Sequence, residues 1–324
     1  MTGTSEDRSE GLPLPGLDGS NPLAFMAALG VLRVLSPDAP SDTDAPRIRW
    51  SARAGSWVPE LLPAPDKPVW SVPELLSELD QRLLKDLNRH PARIWQTVLE
   101  GDHGERCGLA EDGGPETLAW LGGLGIATVD TLGLNPEEHD TQLRTARRDY
   151  HLISLGPIIE QTGPRHLERT LFNLWDYADP MATLSLHIDP ADDRRHAYQW
   201  RKPAGDPSRK NRGGMLGANR LAIEAFPLLT TVPTADGSST AGFRGHRATD
   251  TYWRWPVWQV PVTAAVLPSL MQLADLQPAR GDPSDRIGNA AAERLRERGI
   301  ATVYESQRIL VGKTPNLTPA RAVM

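Results

Sequence analysis

Apolar residues recur at helical spacing through the first part of the chain. Between residues 22 and 35 they fill most positions, which predicts a helix buried on most sides. Asn21 is a good N-cap residue for this helix, and Pro22 suits its first turn. Leucines three or four residues apart predict an amphipathic helix over residues 72–88, capped by Ser71. Further helices are predicted at residues 91–99, 115–127, 137–150, 164–177, 219–225, 263–273 and 290–298. In the 164–177 helix, Leu174 and Trp175 are predicted to face inward with Leu167 and Leu171.

Alternation of apolar and polar residues predicts the strands. Ile48 and Trp50 alternate before a turn, so a hairpin is expected there. Residues 252–262 alternate aromatic and polar positions, and Pro256 indicates an edge strand or a bulge. This pattern puts Trp253 and Trp255 on one face and Trp258 on the other, where core packing is favoured over a base-stacking surface. Shorter strands are predicted at residues 182–188, 301–304 and 308–311, with a loop at 234–245.

These elements predict an α+β fold of mixed helices and small antiparallel sheets, with a helical N-terminal half. We expect residues 1–10 to form a disordered tail, residues 11–150 a mainly helical part, and residues 151–324 an α+β part. The second part contains a basic loop at 194–220. A length of 324 residues is compatible with one continuous domain as well as two.

The composition narrows the functional classes. Cys107 is the only cysteine, so neither a disulfide framework nor a cysteine-based zinc site is expected, and a reducing cytoplasmic setting fits. No apolar run has the length of a membrane span. The sequence lacks the metalloprotease, serine-hydrolase and Walker motifs. We therefore predict no cofactor, no metal and no membrane partner.

Positive charge is concentrated in one mid-chain stretch, although the formal net charge of the chain is -6. Asp206 is the only acid between Arg194 and Arg220, so this stretch has the composition of a phosphate-contacting loop. Trp200 lies within it and is predicted to stack or to brace the cations. Asn219 and Arg220 follow a glycine-rich turn and are predicted to fix the loop or to reach a base edge. The predicted nucleic-acid contacts are Arg194, Arg195, Trp200, Arg201, Lys202, Arg209, Lys210, Arg212, Asn219, Arg220, and the second basic group Arg244 and Arg247.

Two other functional classes stay open. Asp189, Asp192 and Asp193 are candidate Mg²⁺ ligands of a nuclease, although further carboxylates at suitable spacing are not obvious. A scaffold that binds only protein, through a tryptophan-rich surface, is the third hypothesis.

Two segments resemble proteins of subtype I-G (formerly I-U) CRISPR-Cas systems. The first comprises residues 16–35, GLDGSNPLAFMAALGVLRVL, where a proline-led helix start is followed by Ala-Leu-Gly-Val-Leu-Arg. The second combines DPADDRRHAYQW at 189–200 with GANRLAIEAFPLL at 217–229. The resemblance is to accessory or large-subunit-like proteins of these systems.

The resemblance implies a role without catalysis. It implies membership of a crRNA-guided surveillance complex, contact with target DNA or crRNA, and a part in recognising the PAM or recruiting the helicase-nuclease. The leading hypothesis is therefore a non-catalytic nucleic-acid-binding subunit of a type I CRISPR interference complex.

Overall fold

The computed structural model describes most of the chain. The described residues are 11–36, 44–85, 105, 108, 111, 113–124, 141–143, 148–180, 184–192, 213–234, 237–245, 251–277, 286–311 and 314–324. The predicted tail at 1–10 and the predicted helix at 91–99 lie outside these residues.

Helices and small antiparallel sheets both contribute to the fold, which confirms the predicted α+β class. The helices are α1 (Pro22–Leu35), α2 (Val72–Asp80), α3 (Gly114–Leu124), α4 (Arg148–Gln161), α5 (Pro164–Phe172), α6 (Leu216–Glu224), α7 (Leu267–Met271) and α8 (Asn289–Glu297). The strands are β1 (Leu12–Pro13), β2 (Arg47–Arg53), β3 (Ser56–Leu62), β4 (Thr231–Thr234), β5 (Gly237–Thr240), β6 (Phe243–Arg244), β7 (Tyr252–Trp258), β8 (Ile300–Val311), β9 (Thr314–Leu317) and β10 (Arg321–Ala322).

Helix α1 forms the centre of the core. Every residue of α1 except Arg33 is buried. Its start is as predicted, because the Asn21 side chain accepts hydrogen bonds from the backbone N–H groups of Leu23 (2.8 Å) and Ala24 (3.2 Å). The helix packs along α6, and a Cβ at Gly30 would lie only 1.9 Å from the Leu221 carbonyl oxygen. The two helices therefore approach at a distance that only glycine permits.

The aromatic cluster joins α1 to two sheets. The Phe25 ring lies 5.7 Å from Trp50 of β2, and about the same distance from three tryptophans of β7. These are Trp253 at 6.0 Å, Trp255 at 5.9 Å and Trp258 at 6.0 Å. The predicted placement of Trp258 on the opposite face is wrong, because the pairing of β7 with β8 shifts register between Val257 and Trp258 and breaks the alternation. All three indoles are core side chains.

Three antiparallel sheets surround this core. β1, β3 and β2 form one, so the N-terminal half is only in part helical; β4 and β5 form a hairpin. The largest has the order β10-β8-β7-β6, with β9 also paired to β8. β6 pairs with β7 only at Tyr252 and Trp253. On that side, the rest of β7 has no partner strand among the described strands, so Pro256 lies at an open edge. This agrees with the prediction of an edge strand or bulge.

Several boundaries differ from those predicted. Residues 231–240 form a hairpin rather than the start of a loop, and residues 300–311 form one strand rather than two. Residues 184–188 are not a strand. Helix α5 ends at Phe172, and Leu174 is exposed instead of facing inward.

Replacing Gly30 by alanine tests the close approach of α1 and α6. Because the new Cβ would overlap a backbone carbonyl, we expect the free energy of unfolding to fall by about 3 kcal/mol. Gly122→Ala in α3 is the matched control, since the nearest atom to a Cβ there is Thr230 Cγ2 at 3.6 Å, an ordinary van der Waals contact. It should leave stability within about 1 kcal/mol of the wild type. Equal effects of the two substitutions in chemical denaturation would contradict the packing described.

Candidate nucleic-acid interface

Most of the predicted contacts lie outside the described residues. These are Arg194, Arg195, Trp200, Arg201, Lys202, Arg209, Lys210, Arg212 and Arg247. We refer to residues 193–212 as the basic segment. The structure describes both of its flanks, together with the predicted contacts Asn219, Arg220 and Arg244.

Asn219 and Arg220 are interior residues, which corrects their predicted role in ligand contact. Asn219 is 1% exposed, accepts a hydrogen bond from the Leu186 N–H (2.8 Å) and donates to the Met215 carbonyl (3.0 Å). Arg220 is 2% exposed and pairs with Glu224 at 2.7 Å. Both side chains are committed to internal partners, so neither is placed to reach a base edge.

Helix α6 begins three residues earlier than predicted, and Asn219 does not cap it. The Leu216 N–H at the first turn donates instead to the carboxylate of Asp179 (2.8 Å). A carboxylate at this position satisfies a free backbone donor and suits the positive end of the helix. The residue that caps α6, Asp179, therefore comes from a distant part of the chain.

Asp179 also fixes the C-terminal flank of the basic segment. Its backbone forms a bridge with Gly214, with N···O distances of 3.1 and 2.8 Å. The preceding Gly213 packs so closely that a Cβ there would lie 1.7 Å from the Tyr177 carbonyl oxygen. The basic segment therefore meets the body of the protein directly beside residues 177–179.

Asp179 belongs to a cluster of ionisable side chains. Arg169 of α5 pairs with both Asp179 and Asp176. The hydrogen bond from Arg169 lowers the pKa of Asp176, and the same bond is the main cause that raises the pKa of Arg169. Burial lowers the pKa of His166, whose Nε2 lies 3.8 Å from Asp179, against the opposing effect of that carboxylate. The cluster links the residues that follow α5 back to the helix.

The N-terminal flank is held by Asp189. Its carboxylate accepts hydrogen bonds from the Asn21 side chain (3.3 Å) and from the Ala191 N–H (2.9 Å). Just before it, Leu186 bonds to Asn219 of α6. One flank therefore bonds to α6 through Asn219 and the other through Asp179.

The nuclease alternative gains no support from these contacts. Asp189 is buried in a turn, and Asp193 lies outside the described residues. Within the part of the chain that the structure describes, no three histidine, cysteine or acidic side chains are grouped to hold a metal ion.

Arg244 takes part in an arginine cluster that the sequence reasoning missed. The buried carboxylate of Glu305 on β8 accepts from Arg244 (2.5 Å), Arg254 (2.5 Å) and Arg321 (2.7 Å). Burial lowers the pKa of Arg254, against the effect of the adjacent carboxylate. Arg244 also lies over the Tyr252 ring at 4.7 Å. The described contacts of Arg244 are thus internal ones, and the three arginines around Glu305 together tie β6, β7, β8 and β10.

A second missed feature is the aromatic loop, which we define as residues 173–178. Leu174 is 94% exposed, and Trp175 and Tyr177 are half-buried. The Trp175 indole donates to the Thr170 carbonyl (3.1 Å), and its ring meets Tyr177 edge to face at 6.1 Å. The sequence predicted a helix here because Leu171, Leu174 and Trp175 have helical spacing.

Comparisons with known proteins find no relative of this chain. No protein-family model matches the chain, and no curated protein matches it. Among the described helices, none is long and apolar enough to span a bilayer.

Removing the Asp179 carboxylate tests its role as an anchor. Asp179→Ala removes the buried one of the two carboxylates that pair with Arg169 and the acceptor of the Leu216 N–H, so we expect a loss of about 3 kcal/mol in the free energy of unfolding. Asp176→Ala is the control, because it removes the other partner of Arg169 at a position where the side chain is 53% exposed. That change should cost less than about 1 kcal/mol, since solvent screens the pair. If Asp176→Ala proves the more damaging in urea denaturation, Asp179 is not the anchor.

Proposed function

We propose that this chain is a non-catalytic nucleic-acid-binding subunit of a type I CRISPR interference complex. Its basic segment contacts the sugar-phosphate backbone of target DNA or crRNA. The chain acts beside the other crRNA-guided subunits, either in recognising the PAM or in recruiting the helicase-nuclease.

The charge of the basic segment is the observation that carries this proposal. Within residues 193–212 there are seven arginines and lysines and only two acids, Asp193 and Asp206, in a chain of net charge -6. Such a local excess of cations attracts a polyanion and makes its binding dependent on salt.

The flanking geometry supports the same proposal. Asp179 and Asn219 attach both ends of the basic segment to the region around α6. Helix α6 is itself packed against the buried helix α1, so both flanks of the basic segment are attached to the core. A phosphate-binding segment whose two ends are fixed loses less conformational entropy when it binds.

Membership of the complex is supported by the family resemblance. The resembling stretches 16–35 and 217–229 contain α1 and all of α6 except Leu216, and the two helices pack together through Gly30 and Leu221. Two separate resemblances thus meet in one structural unit.

Charge reversal in the basic segment tests the nucleic-acid contact. The variant Arg209→Glu, Lys210→Glu and Arg212→Glu should weaken binding of labelled DNA and RNA at least tenfold. It should also reduce the slope of log K against log salt by about 2, since three phosphate contacts are lost. The measurement is fluorescence anisotropy across a salt series, with the melting temperature unchanged.

A second triple variant controls for net charge. Arg294→Glu, Arg296→Glu and Arg298→Glu changes the charge equally on α8 and at its C-cap residue Arg298, where these side chains are exposed. It should bind much more tightly than the first variant. Equal affinity of the two variants, or no salt-dependent binding by the wild type, would refute the proposed contact.

A further inference from the structure

We propose that the aromatic loop is a base-stacking surface for single-stranded nucleic acid, with Trp175 as its centre. This inference rests on the proposed function and assigns the form of nucleic acid that the chain binds. It places the base contacts at residues 174–177 and leaves the phosphate contacts to the basic segment.

The first argument is that one fully exposed leucine lies beside two aromatic rings that pack against the core and keep only part of their surface in solvent. A single exposed leucine is ordinary on a protein surface. Here Leu174, at 94% exposure, is followed by Trp175 and Tyr177, both half-buried. An indole that keeps part of its surface in solvent beside a leucine and a phenol offers apolar area to a flat partner.

The second argument is that the surface is held in place. The Trp175 indole N–H is bonded to the Thr170 carbonyl (3.1 Å), and its ring packs edge to face on Tyr177. Between them, Asp176 accepts from Arg169 and from the Ala178 N–H (3.2 Å). The rings are therefore positioned before a ligand arrives, which reduces the entropy lost on binding.

The third argument is the position of the loop beside the basic segment. Gly213 packs against the Tyr177 carbonyl, and Gly214 pairs with Asp179. Arg209, Lys210 and Arg212 directly precede Gly213 in the sequence. Aromatic faces next to cations are the combination that binds single strands, because bases stack while the phosphates are neutralised.

The same argument selects a single strand over a duplex. In a duplex both faces of each base are covered by its neighbours, so an aromatic ring at the surface has no base to stack on. Asp176 is paired with Arg169, which it shares with the buried Asp179. The loop thus fits unpaired DNA or RNA.

Trp175→Ala tests the stacking contact directly. Its affinity for a fluorescently labelled 15-nucleotide oligothymidylate should fall about tenfold, with the salt slope unchanged. Trp175→Phe should retain most of the affinity. Trp70→Ala is the control, since Trp70 is also half-buried but lies before α2, in the wall of a separate groove. We expect it to bind as the wild type does.

An abasic oligonucleotide of the same length separates stacking from every other effect. The wild type should bind the abasic strand about as weakly as Trp175→Ala binds oligothymidylate, and Trp175→Ala should lose nothing further on it. Leu174→Glu provides a second variant whose folding is secure, because the side chain is almost wholly exposed. It should weaken binding of the oligothymidylate several-fold.

The outcomes separate this inference from the proposed function. If Trp175→Ala and Leu174→Glu bind oligothymidylate as the wild type does, while charge reversal in the basic segment still weakens binding, the stacking surface is refuted and the proposed function stands. If the wild type binds no nucleic acid, both fail. Loss of a protein partner with unchanged nucleic-acid affinity would assign the loop to protein contact and would also overturn the inference.

Discussion

The close approach of helices around α6 is the constraint on which the rest of the structure depends. α6 touches α1 at Gly30, whose Cβ would lie 1.9 Å from the Leu221 carbonyl oxygen. On its other side, a Cβ at Gly217 would lie 2.3 Å from the His166 carbonyl oxygen of α5. Neither contact leaves room for a larger side chain, so the sequence fixes the spacing of three helices with two glycines. The start of α6 and the flanks of the basic segment take their positions from this arrangement.

Buried carboxylates organise the cations of the described structure. Glu224 of α6 pairs with Arg33 and Arg220, and Glu305 gathers three arginines from the main sheet. Arginines bonded to such carboxylates are part of the architecture, because their guanidinium groups have partners inside the protein. The sequence of the basic segment differs, because its cations have few acids beside them in the chain.

Local signals in the sequence were sufficient where the stabilising partners are also local. Asn21 and Pro22 start α1 through bonds to the next turn, so the start was predictable. Asn219 was assigned to ligand contact because its partner, Leu186, is 33 residues away and invisible to a local pattern. Leu174 was predicted to face inward because of its helical spacing. The pairs of Arg169 with Asp176 and Asp179, which hold the chain after Phe172, cannot be inferred from that spacing. Arg254 fits the alternation of aromatic and polar residues along β7. Its pair with Glu305 was not predictable, because Glu305 is 51 residues away in the chain.

The central claim is that nucleic acid lies along the basic segment and the adjacent aromatic loop. Ultraviolet crosslinking of the wild-type protein to bound single-stranded DNA or RNA, followed by mass spectrometry of the peptides, measures this contact directly. The account predicts crosslinked nucleotides on peptides from residues 174–177 and 194–212, and none on the α8 peptide at 289–297. Crosslinks confined to α8 or to the sheet around Glu305, with none in the two predicted peptides, would contradict it.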